Sequence, residues 1–574
     1  PTSQLAAQTA DELQITLEGA RDSYVSAQVV VTATGGPLSA VQVELSPLTS
    51  AAGDEIAIDH IEFFRQAYID FRDVGAMGGT RPVPDNSATG DGRIPDPLIP
   101  LDDPYDGSDE LSSFSVRGDE NQPLWMDIYI PRGTPAGTYQ GAVRLSAEGG
   151  VAEIPVTVTV WDLVLPGMNT VTTHFRMTVN DFIEYHGGVS DCSGDYCWFD
   201  TSTERGRALL NRYEELAHRH RIDVGQHRVP ELSTSCSPPD SWEAYDNAVR
   251  PYMDGDYFAD GVPSPRLETP FRPGAEWGLE GDCTRAEYTA FAAEYAQHLK
   301  DRGWFDRAVV YAYDEPPADK LPDIAEHANW MIDGDPDWKD RIMITTTAKA
   351  STFDLLGPVT GIFATAPAEF DTWYELDSDH FGRDEWTGLR ADGIDLWFYE
   401  SNNQGAPYAS FATNTLDANE PAMMMWGSWF ERATGFLYYD VTGWDESEPW
   451  GPTTEFGKTG DGVLIYPGHH DGSAGNGSPD DVTIDGPVPS LRLKSVRAGL
   501  QDWALFKLAE QRGLGAYARE QVSQAYRLLG GCGWDGCIEP EDGFYWRSEN
   551  SLMNDICHSR STICLSNGIF QRLI

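Results

Sequence analysis

The hydrophobic pattern of the chain changes near residue 170, and this change most constrains its fold. Beyond that point, short apolar stretches alternate with amphipathic stretches over about 330 residues. Such alternation predicts parallel strands covered by helices, and its length predicts a (β/α)8 TIM-like barrel. The expected strands are Thr172–Thr178, Asp223–Val229, Ala308–Asp314, Ile342–Thr347, Gly361–Ala366, Asp395–Glu400 and Phe436–Val441, with one more between Ser241 and Gly278. The expected helices are Thr203–His220, Arg285–Arg302, Pro322–Ile332 and Ser490–Glu510.

The part before this change predicts an all-β sandwich. Stretches rich in Val, Ile and Tyr, such as Tyr24–Thr34 and Gly137–Ala147, alternate apolar and polar residues between turn residues. The stretch Thr80–Ser108 is rich in Pro, Gly and Asp, and we expect it to be a long loop.

The length of 574 residues is too great for a single hydrophobic core, and a multidomain chain is expected. We place a β-sandwich domain at residues 1–166 and a catalytic barrel at residues 167–512. Residues 513–574 begin with helix and end in a stretch rich in Cys and Gly, and we expect a small C-terminal cap on the barrel.

The charge of the chain excludes several partners. Acidic residues number 91 against 40 basic ones, only seven of which are lysine, and the net charge is −51. This field repels nucleic acid and anionic membranes, and no apolar run is long enough for membrane insertion. No P-loop, nucleophile elbow or zinc-protease motif occurs in a fitting context, which argues against nucleotide chemistry, α/β-hydrolase chemistry and zinc proteolysis.

The eight cysteines predict disulfide bonds rather than zinc ligands, because none of them forms a CxxC motif. Cys192 with Cys197 and Cys532 with Cys537 are close enough in sequence for local pairs. An even number of cysteines favours an oxidising compartment, and we expect a secreted protein, extracellular or periplasmic. The chain begins at Pro1 without a signal-peptide pattern, and we expect any export signal to have been removed or not to be part of this sequence.

The residues most suited to catalysis are Asp314 and Glu315. They follow an apolar strand, VVYAY, and precede two prolines. The carboxyl ends of barrel strands face the active site. Two carboxyls there are expected to be partly desolvated and to repel each other, which would raise at least one pKa and suit a general acid. The alternative is that Asp314 caps a turn and Glu315 is solvated.

A glycosidic bond needs an acid for the leaving oxygen and a group that stabilises the cationic sugar. In one route Glu315 is the acid, and Asp314 orients a 2-acetamido group of the substrate that acts as the nucleophile. In the other, Glu400 at the end of LWFYE is an enzyme nucleophile. The first route gives both adjacent carboxyls a role, whereas the second leaves Asp314 without one.

Further candidates for a sugar pocket are aromatic and polar side chains at or near strand ends. Aromatic faces pack on the C–H faces of sugars, and tyrosine hydroxyls add hydrogen bonds. The expected pocket residues are Tyr313, Trp397, Tyr399, Glu400, Trp429, Tyr438, Trp444, His174, Arg176 and His227. Core packing is the alternative for the aromatic residues, and a structural role is the alternative for the histidines.

We expect no cofactor and no catalytic metal, because the histidines are too scattered to form a metal site. Asp461, Asp471, Asp480 and Asp481 lie among glycines, but the DxDxDG pattern of a calcium loop is missing. A solvated loop is favoured there, and a structural calcium ion is the alternative.

Several segments, in this order, resemble glycoside hydrolase family 123. They are IPRGTPAGTYQGAVRL, VTVTVWDLVLP, VYAYDEP, LWFY, GFLYYDVTGW, GDGVLIYPG and SLRLKSVRAGLQDW. The resemblance covers most of the chain. Tyr439, where many relatives have tryptophan, the Cys-rich tail and the insert around Cys192–Cys197 depart from the family pattern.

The resemblance implies a β-sandwich followed by a (β/α)8 barrel. It also implies retaining cleavage of β-linked N-acetylhexosamine, and N-acetylgalactosamine in particular, from a glycan by substrate assistance. Asp314 would then position the acetamido group and Glu315 would be the acid/base. A retaining glycosidase acting on a sugar without this group and a non-catalytic carbohydrate-binding protein are the alternatives.

Overall fold

The computed structural model describes residues 13–71, 92–105, 112–148, 150–193, 196–227, 232, 237–274, 283–346, 350–367, 383–401, 409–412, 419–444, 449–451, 459–468 and 484–525. The predicted all-β N-terminal part is confirmed as mostly β. Its strands are β1 (Ile15–Arg21), β2 (Ser23–Thr32), β3 (Leu38–Leu45), β4 (Leu48–Ser50), β5 (Glu55–Ile56), β6 (Ile61–Phe71), β7 (Gly92–Pro100), β8 (Ser113–Val116), β9 (Asn121–Ile130), β10 (Gly137–Ala147) and β11 (Gly150–Val164).

These strands form two sheets with a shared core. One sheet has the order β1-β11-β10-β3-β8, with β4 on β10 and β5 on β4, and the other has the order β2-β9-β6-β7. Alternate side chains of both sheets, such as Val25, Ile128, Val143 and Val158, are buried in one apolar cluster. The period of two in the sequence therefore corresponds to one buried face for each sheet.

The remaining strands are β12 (Thr172–Phe175), β13 (Ser190–Ser193), β14 (Tyr196–Phe199), β15 (Leu267–Glu268), β16 (Ala308–Tyr313), β17 (Ile342–Thr345), β18 (Ile362–Thr365), β19 (Asp395–Glu400), β20 (Gly435–Tyr438), β21 (Ile465–Pro467) and β22 (Pro487–Pro489). The helices are α1 (Phe182–Tyr185), α2 (Glu204–Arg219), α3 (Glu243–Asp254), α4 (Arg285–Arg302), α5 (Leu321–Gly334), α6 (Ala350–Leu356), α7 (Arg383–Ala391), α8 (Glu420–Phe430), α9 (Leu491–Gln511) and α10 (Gly515–Ala525).

Seven of these strands form a parallel sheet in the order β12-β20-β19-β18-β17-β16-β15. The sheet is strongly curled. Five strand spacings separate β12 from β16, which would be roughly 24 Å in a flat sheet. The ring centroids of His174 on β12 and Tyr311 on β16 are nevertheless only 5.4 Å apart. The two strands therefore face each other across an interior, while side chains such as Val310 and Phe398 pack outward among the helices.

Two sequence predictions fail, and both have a physical reason. The described part of the predicted strand Asp223–Val229 is irregular, because Gly225 has a left-handed φ of 96° and its N–H binds the Asp223 carboxylate at 3.0 Å. Residues 228 and 229 lie outside the described residues. The predicted loop Thr80–Ser108 contains β7, whose prolines are accommodated because it lies at the edge of its sheet.

The predictions of an additional strand, of four helices and of a local disulfide agree with the structure. The expected additional strand between Ser241 and Gly278 is β15, and the four predicted helices are present with ends shifted by at most two residues. The Cys192–Cys197 disulfide is confirmed. Cys283 is also disulfide-bonded, whereas the Cys532–Cys537 pair and residues 526–574 of the predicted cap lie outside the described residues. None of the described helices combines the length and apolar character needed to cross a bilayer.

The buried carboxyl of Asp502 on α9 generates a test of stability against pH. It is 6% exposed and accepts a hydrogen bond of 2.9 Å from the Trp426 indole on α8. Burial raises the pKa of Asp502 to about 8, although the Trp426 bond acts in the opposite direction. A raised pKa means that the stability contribution is complete below the ordinary pKa of 3.8 and is lost progressively as the pH rises to about 8.

We therefore expect Asp502→Asn, which does not titrate, to gain stability relative to the wild type as the pH rises. The difference in unfolding free energy should grow by about 2 kcal/mol or more between pH 5 and pH 8. Urea unfolding at both pH values measures it, with Asp319→Asn at an exposed position as the control. Parallel pH profiles for Asp502→Asn and the wild type would contradict the expectation.

Candidate active site at the end of β16

A β-bulge at the end of β16 determines where Asp314 points. Tyr311 lies opposite Met343 of β17, but Tyr313 lies opposite Ile344, so β16 contains one extra residue. Strict alternation would turn Asp314 toward the helices, and the extra residue instead turns it to the interior side. There its Oδ1 accepts hydrogen bonds from the Tyr311 hydroxyl at 2.9 Å and the Thr345 hydroxyl at 2.6 Å.

Glu315 is directed by a second local feature, a left-handed backbone conformation with a φ of 44°. This conformation is uncommon for a residue other than glycine, and it costs on the order of 1–3 kcal/mol. The Glu315 N–H donates to the Thr345 hydroxyl oxygen at 2.9 Å, and the Tyr399 hydroxyl donates to Glu315 Oε1. Thr345 thus bonds both carboxyl residues, and Tyr399 of β19 bonds the second.

The carboxyl pair is more open to solvent than the sequence predicts. Both Asp314 and Glu315 are exposed, so the expected partial desolvation is wrong in this structure. Tyr311 beneath them is half-buried. Burial, followed by the negative charge of Asp314, raises the pKa of the Tyr311 hydroxyl well above 10. Tyr311 therefore remains protonated and can only donate to Asp314.

The interior below the pair is lined by several of the predicted residues. Trp397 and Tyr399 belong to an inner apolar cluster with Val309, Met343 and Leu437, and Tyr311 packs against it. The His174 ring meets Tyr311 edge to face. Burial and then the positive charge of Arg266 lower the pKa of His174 to about 3, and the ring is therefore neutral at physiological pH.

The sequence did not predict a cluster of charged residues beside Tyr311, formed by Arg266, Glu268 and Arg272. Glu268 of β15 is held between Arg266 at 3.2 Å and Arg272. Burial would raise the pKa of Glu268, but nearby positive charges outweigh it and hold the carboxyl ionised. Arg272 also donates to the Tyr311 carbonyl at 3.3 Å. The sequence signal for this cluster is the alternation of charges in RLETPFR. It does not stand out as a strand pattern, because β15 has only two residues.

Glu400 and Tyr438 lie on the opposite, helix-facing side of the sheet. Glu400 follows the interior residue Tyr399, so alternation turns it outward. It has no exposed surface, and its Oε1 accepts from the Ser410 hydroxyl at 2.8 Å and the Phe411 N–H at 3.1 Å. The Tyr438 hydroxyl is also buried, and it donates to Asp461 at 3.2 Å.

Two further predicted aromatic residues are packed inside the helical layer. Trp429 on α8 lies 4.5 Å from Phe506 of α9, measured between ring centroids, and is 2% exposed. Trp444 is 1% exposed and packs on Phe182 at 5.5 Å. Neither side chain is brought to the carboxyl pair.

The remaining predicted residues are distributed around the sheet. Tyr313 is half-buried and, after the bulge, lies on the helix-facing side. The Arg176 guanidinium just after β12 is mostly exposed and lies 3.9 Å from the Asp440 carboxylate. His227 bonds Glu214 at 3.3 Å and the Met177 carbonyl at 3.1 Å. Burial lowers the pKa of His227, but Glu214 outweighs this effect and the pKa is raised.

Within the described ranges, no group of three or more His, Cys, Asp or Glu residues is arranged to hold a metal ion. Asp461 is buried beside Tyr438, whereas Asp471, Asp480 and Asp481 lie outside those ranges. A cleft of about 830 Å³ lies between β6 and α2, and neither carboxyl of the pair nor any of their hydrogen-bond partners lines it. The carboxyl pair therefore lies outside that cleft.

Two protein-family models match the chain. The glycoside hydrolase 123 N-terminal domain matches residues 3–147, and the glycoside hydrolase 123 catalytic domain matches residues 276–509. The second segment contains Asp314, Glu315, Thr345 and Tyr399. No curated protein matches the chain significantly.

Solved structures agree with the family models at the level of the fold. The chain is similar to a family 123 glycoside hydrolase from Clostridium perfringens, with a TM-score of 0.63 and 15% identity over 98% of this chain and 94% of that one. The Parabacteroides merdae β-glucuronidase gives 0.23 and 9% identity over 70% and 47%. A GH10 xylanase with a bacterial Ig-like domain from termite gut gives 0.31 and 10% over 66% and 90%. Both TM-scores are too low to establish a shared fold.

The contacts of Glu400 lead to a prediction about stability. Glu400→Gln replaces one carboxyl oxygen with an NH2 group, which cannot accept a hydrogen bond, in a buried position next to Ser410 and Phe411. We expect the free energy of unfolding to fall by about 1–3 kcal/mol. Urea unfolding measures the loss, and Glu326→Gln at an exposed position is the matched control. Equal stability of Glu400→Gln and the wild type would show that these bonds are not stabilising.

Proposed function

Because the chain belongs to glycoside hydrolase family 123, we propose that it removes β-linked N-acetylhexosamine, and N-acetylgalactosamine in particular, from glycans with retention by substrate assistance. One observation carries this proposal. The Thr345 hydroxyl donates to Asp314 Oδ1 and accepts from the Glu315 N–H, which fixes two adjacent carboxyls in different surroundings. Two neighbouring carboxyls held in this way suit two different tasks on one sugar.

The role of Asp314 follows from its hydrogen bonds. Oδ1 is occupied by the donors Tyr311 and Thr345, which orient the carboxyl group. No described residue donates to Oδ2, and this oxygen is available to accept the N–H of the substrate's 2-acetamido group. Accepting that N–H increases the negative charge on the acetamido oxygen and orients it toward the anomeric carbon.

Glu315 supplies the proton. In the first step the acetamido oxygen bonds to the anomeric carbon, the glycosidic C–O bond breaks and the Glu315 proton moves to the leaving oxygen. In the second step water bonds to the anomeric carbon, Glu315 takes its proton and the bond to the acetamido oxygen breaks. Two inversions give retention. The Tyr399 hydroxyl on Oε1 orients the carboxyl, and Oε2 then carries the proton.

The alternative nucleophile Glu400 is disfavoured by its position. It is completely buried on the helix-facing side, and its Oε1 is engaged by Ser410 and Phe411. An attacking carboxylate must reach the anomeric carbon from the interior, close to the acid. Binding without catalysis is also disfavoured, because a left-handed backbone of the kind seen at Glu315 is typical of active sites.

The proposal extends to architecture and location. The segment 222–226 lies beside β12, where the Phe175 N–H donates to the Asp223 carbonyl at 2.9 Å, and Gln226 reaches the Arg266 carbonyl next to β15. This segment would complete a (β/α)8 barrel, with domains at residues 1–166, 167–512 and 513–574. The Cys192–Cys197 disulfide supports export to an oxidising compartment.

The first activity test replaces each carboxyl by its amide. We expect Glu315→Gln and Asp314→Asn each to lower kcat at least about 100-fold on a p-nitrophenyl N-acetyl-β-galactosaminide, without a change in Tm because both positions are exposed. Asp319→Asn is the control for a nearby exposed acid. A thiazoline analogue should inhibit the wild type. Full activity of Glu315→Gln on every substrate would refute the mechanism, and a 2-fluoro glycoside label on Glu400 would favour the alternative.

The second test concerns Thr345, which touches no substrate atom in this mechanism and is a positioning residue. Thr345→Val keeps the shape but removes the hydroxyl that bonds both carboxyl residues. We expect kcat to fall about 10- to 100-fold with little change in KM, and Thr345→Ser to restore most of it. Steady-state kinetics on the same glycoside measure both values. Equal losses in the Val and Ser variants would indicate a packing defect instead.

A further inference from the structure

A short disulfide-bridged hairpin, β13 and β14, stands in the connection after β12. Cys192 and Cys197 face each other across it and are bonded. The hairpin lies between the two segments that match the family models, which end at residue 147 and begin again at residue 276. The family models therefore do not include it.

The hairpin emerges at the same edge of the sheet as the carboxyl pair. In a parallel sheet the carboxyl ends of all strands lie at one edge. The segments that follow β12 and β16 therefore both begin at this edge. The base of the hairpin is anchored there. The Phe199 N–H donates to the Asn180 side chain at 3.2 Å, and the Phe199 ring packs on Phe182 at 5.3 Å. Phe182 in turn packs on Trp444, which follows β20.

The two faces of the hairpin differ sharply. Phe199 is 9% exposed and directed at the protein, and the next residue back, Trp198, lies on the opposite face with 51% of its surface exposed. Among the described residues, the five large hydrophobic side chains that are exposed include one aromatic residue, Trp198. The register pairs Trp198 with Asp191, which is also exposed, so an indole and a carboxylate lie side by side.

We propose that this hairpin binds a sugar ring of the glycan beyond the terminal ring whose glycosidic bond is cleaved. The Trp198 indole packs on this sugar, and Asp191 accepts hydrogen bonds from its hydroxyls. This inference rests on the proposed function. An aromatic face next to a hydrogen-bond acceptor matches the C–H face and hydroxyl rim of a neutral sugar. The net charge of −51 opposes an anionic ligand. The disulfide and the buried Phe199 hold the surface in place before binding, which limits the ordering cost.

Kinetics on two substrates test the proposal. The first is a tetrasaccharide that ends in β-linked N-acetylgalactosamine, and the second is the methyl β-glycoside of the same sugar, which has no second ring. We expect Trp198→Ala to raise KM for the tetrasaccharide about tenfold with kcat little changed, and to leave the methyl glycoside unaffected. Trp198→Phe, which keeps an aromatic face, should recover most of the loss. Val151→Ala, 60% exposed on β11, is the control for an exposed apolar residue.

Each outcome decides the question. An unchanged KM for the tetrasaccharide, or equal losses on both substrates, overturns the role of the hairpin while the proposed function stands. If the wild type cleaves neither substrate, the proposed function fails. Calorimetric titration with the tetrasaccharide then tests separately whether the hairpin binds sugar. Binding that Trp198→Ala weakens about tenfold supports the proposal, and binding that is absent or unchanged in this variant overturns it.

Discussion

A buried carboxylate in the N-terminal domain, Asp127, joins that domain to the parallel-sheet domain. Asp127 on β9 has no exposed surface, and it pairs with Arg497 and Lys494 of α9, each at 2.8 Å. Burial would raise the pKa of Asp127, but the two cations hold it far below its usual range. Burial also lowers the pKa of Lys494 to about 8. Removing one partner from a buried cluster of this kind costs about 3–5 kcal/mol, so the relative position of the two domains depends on the whole cluster.

A second buried pair extends this junction toward the active-site edge. Asp96 of β7 pairs with Arg492 of α9 at 2.9 Å, and the same guanidinium donates to the Phe411 and Gly460 carbonyls at 2.6 Å. Phe411 follows β19, and its N–H donates to Glu400. Glu400 is therefore the last member of a polar chain that begins in the N-terminal domain. This explains physically why a carboxylate at a strand end has a structural role here.

The sequence predicted the elements of this fold better than their local irregularities. Period-two and helical patterns located the strands and helices, because burial of one face dictates both. The Pro-rich strand β7 was missed, since only its place at a sheet edge makes its prolines acceptable. The pattern after Asp223 predicts a strand where the structure is irregular, because the effect of Gly225 depends on a left-handed conformation that apolar periodicity does not report.

The candidate site shows the same division. The sequence placed the candidate pair after VVYAY, at the carboxyl end of a parallel strand, and Asp314 and Glu315 do follow β16. The arrangement of the two carboxyls depends on two departures from a regular strand, the bulge before Asp314 and the left-handed Glu315. In a regular strand, adjacent carboxyls face opposite sides of the sheet, and only one would reach a substrate. The bulge and the left-handed turn bring both to the interior edge. There the Thr345 hydroxyl donates to the Asp314 carboxyl and accepts from the Glu315 N–H. In this chain the two adjacent carboxyls lie on one side of the sheet because the strand is interrupted in this way.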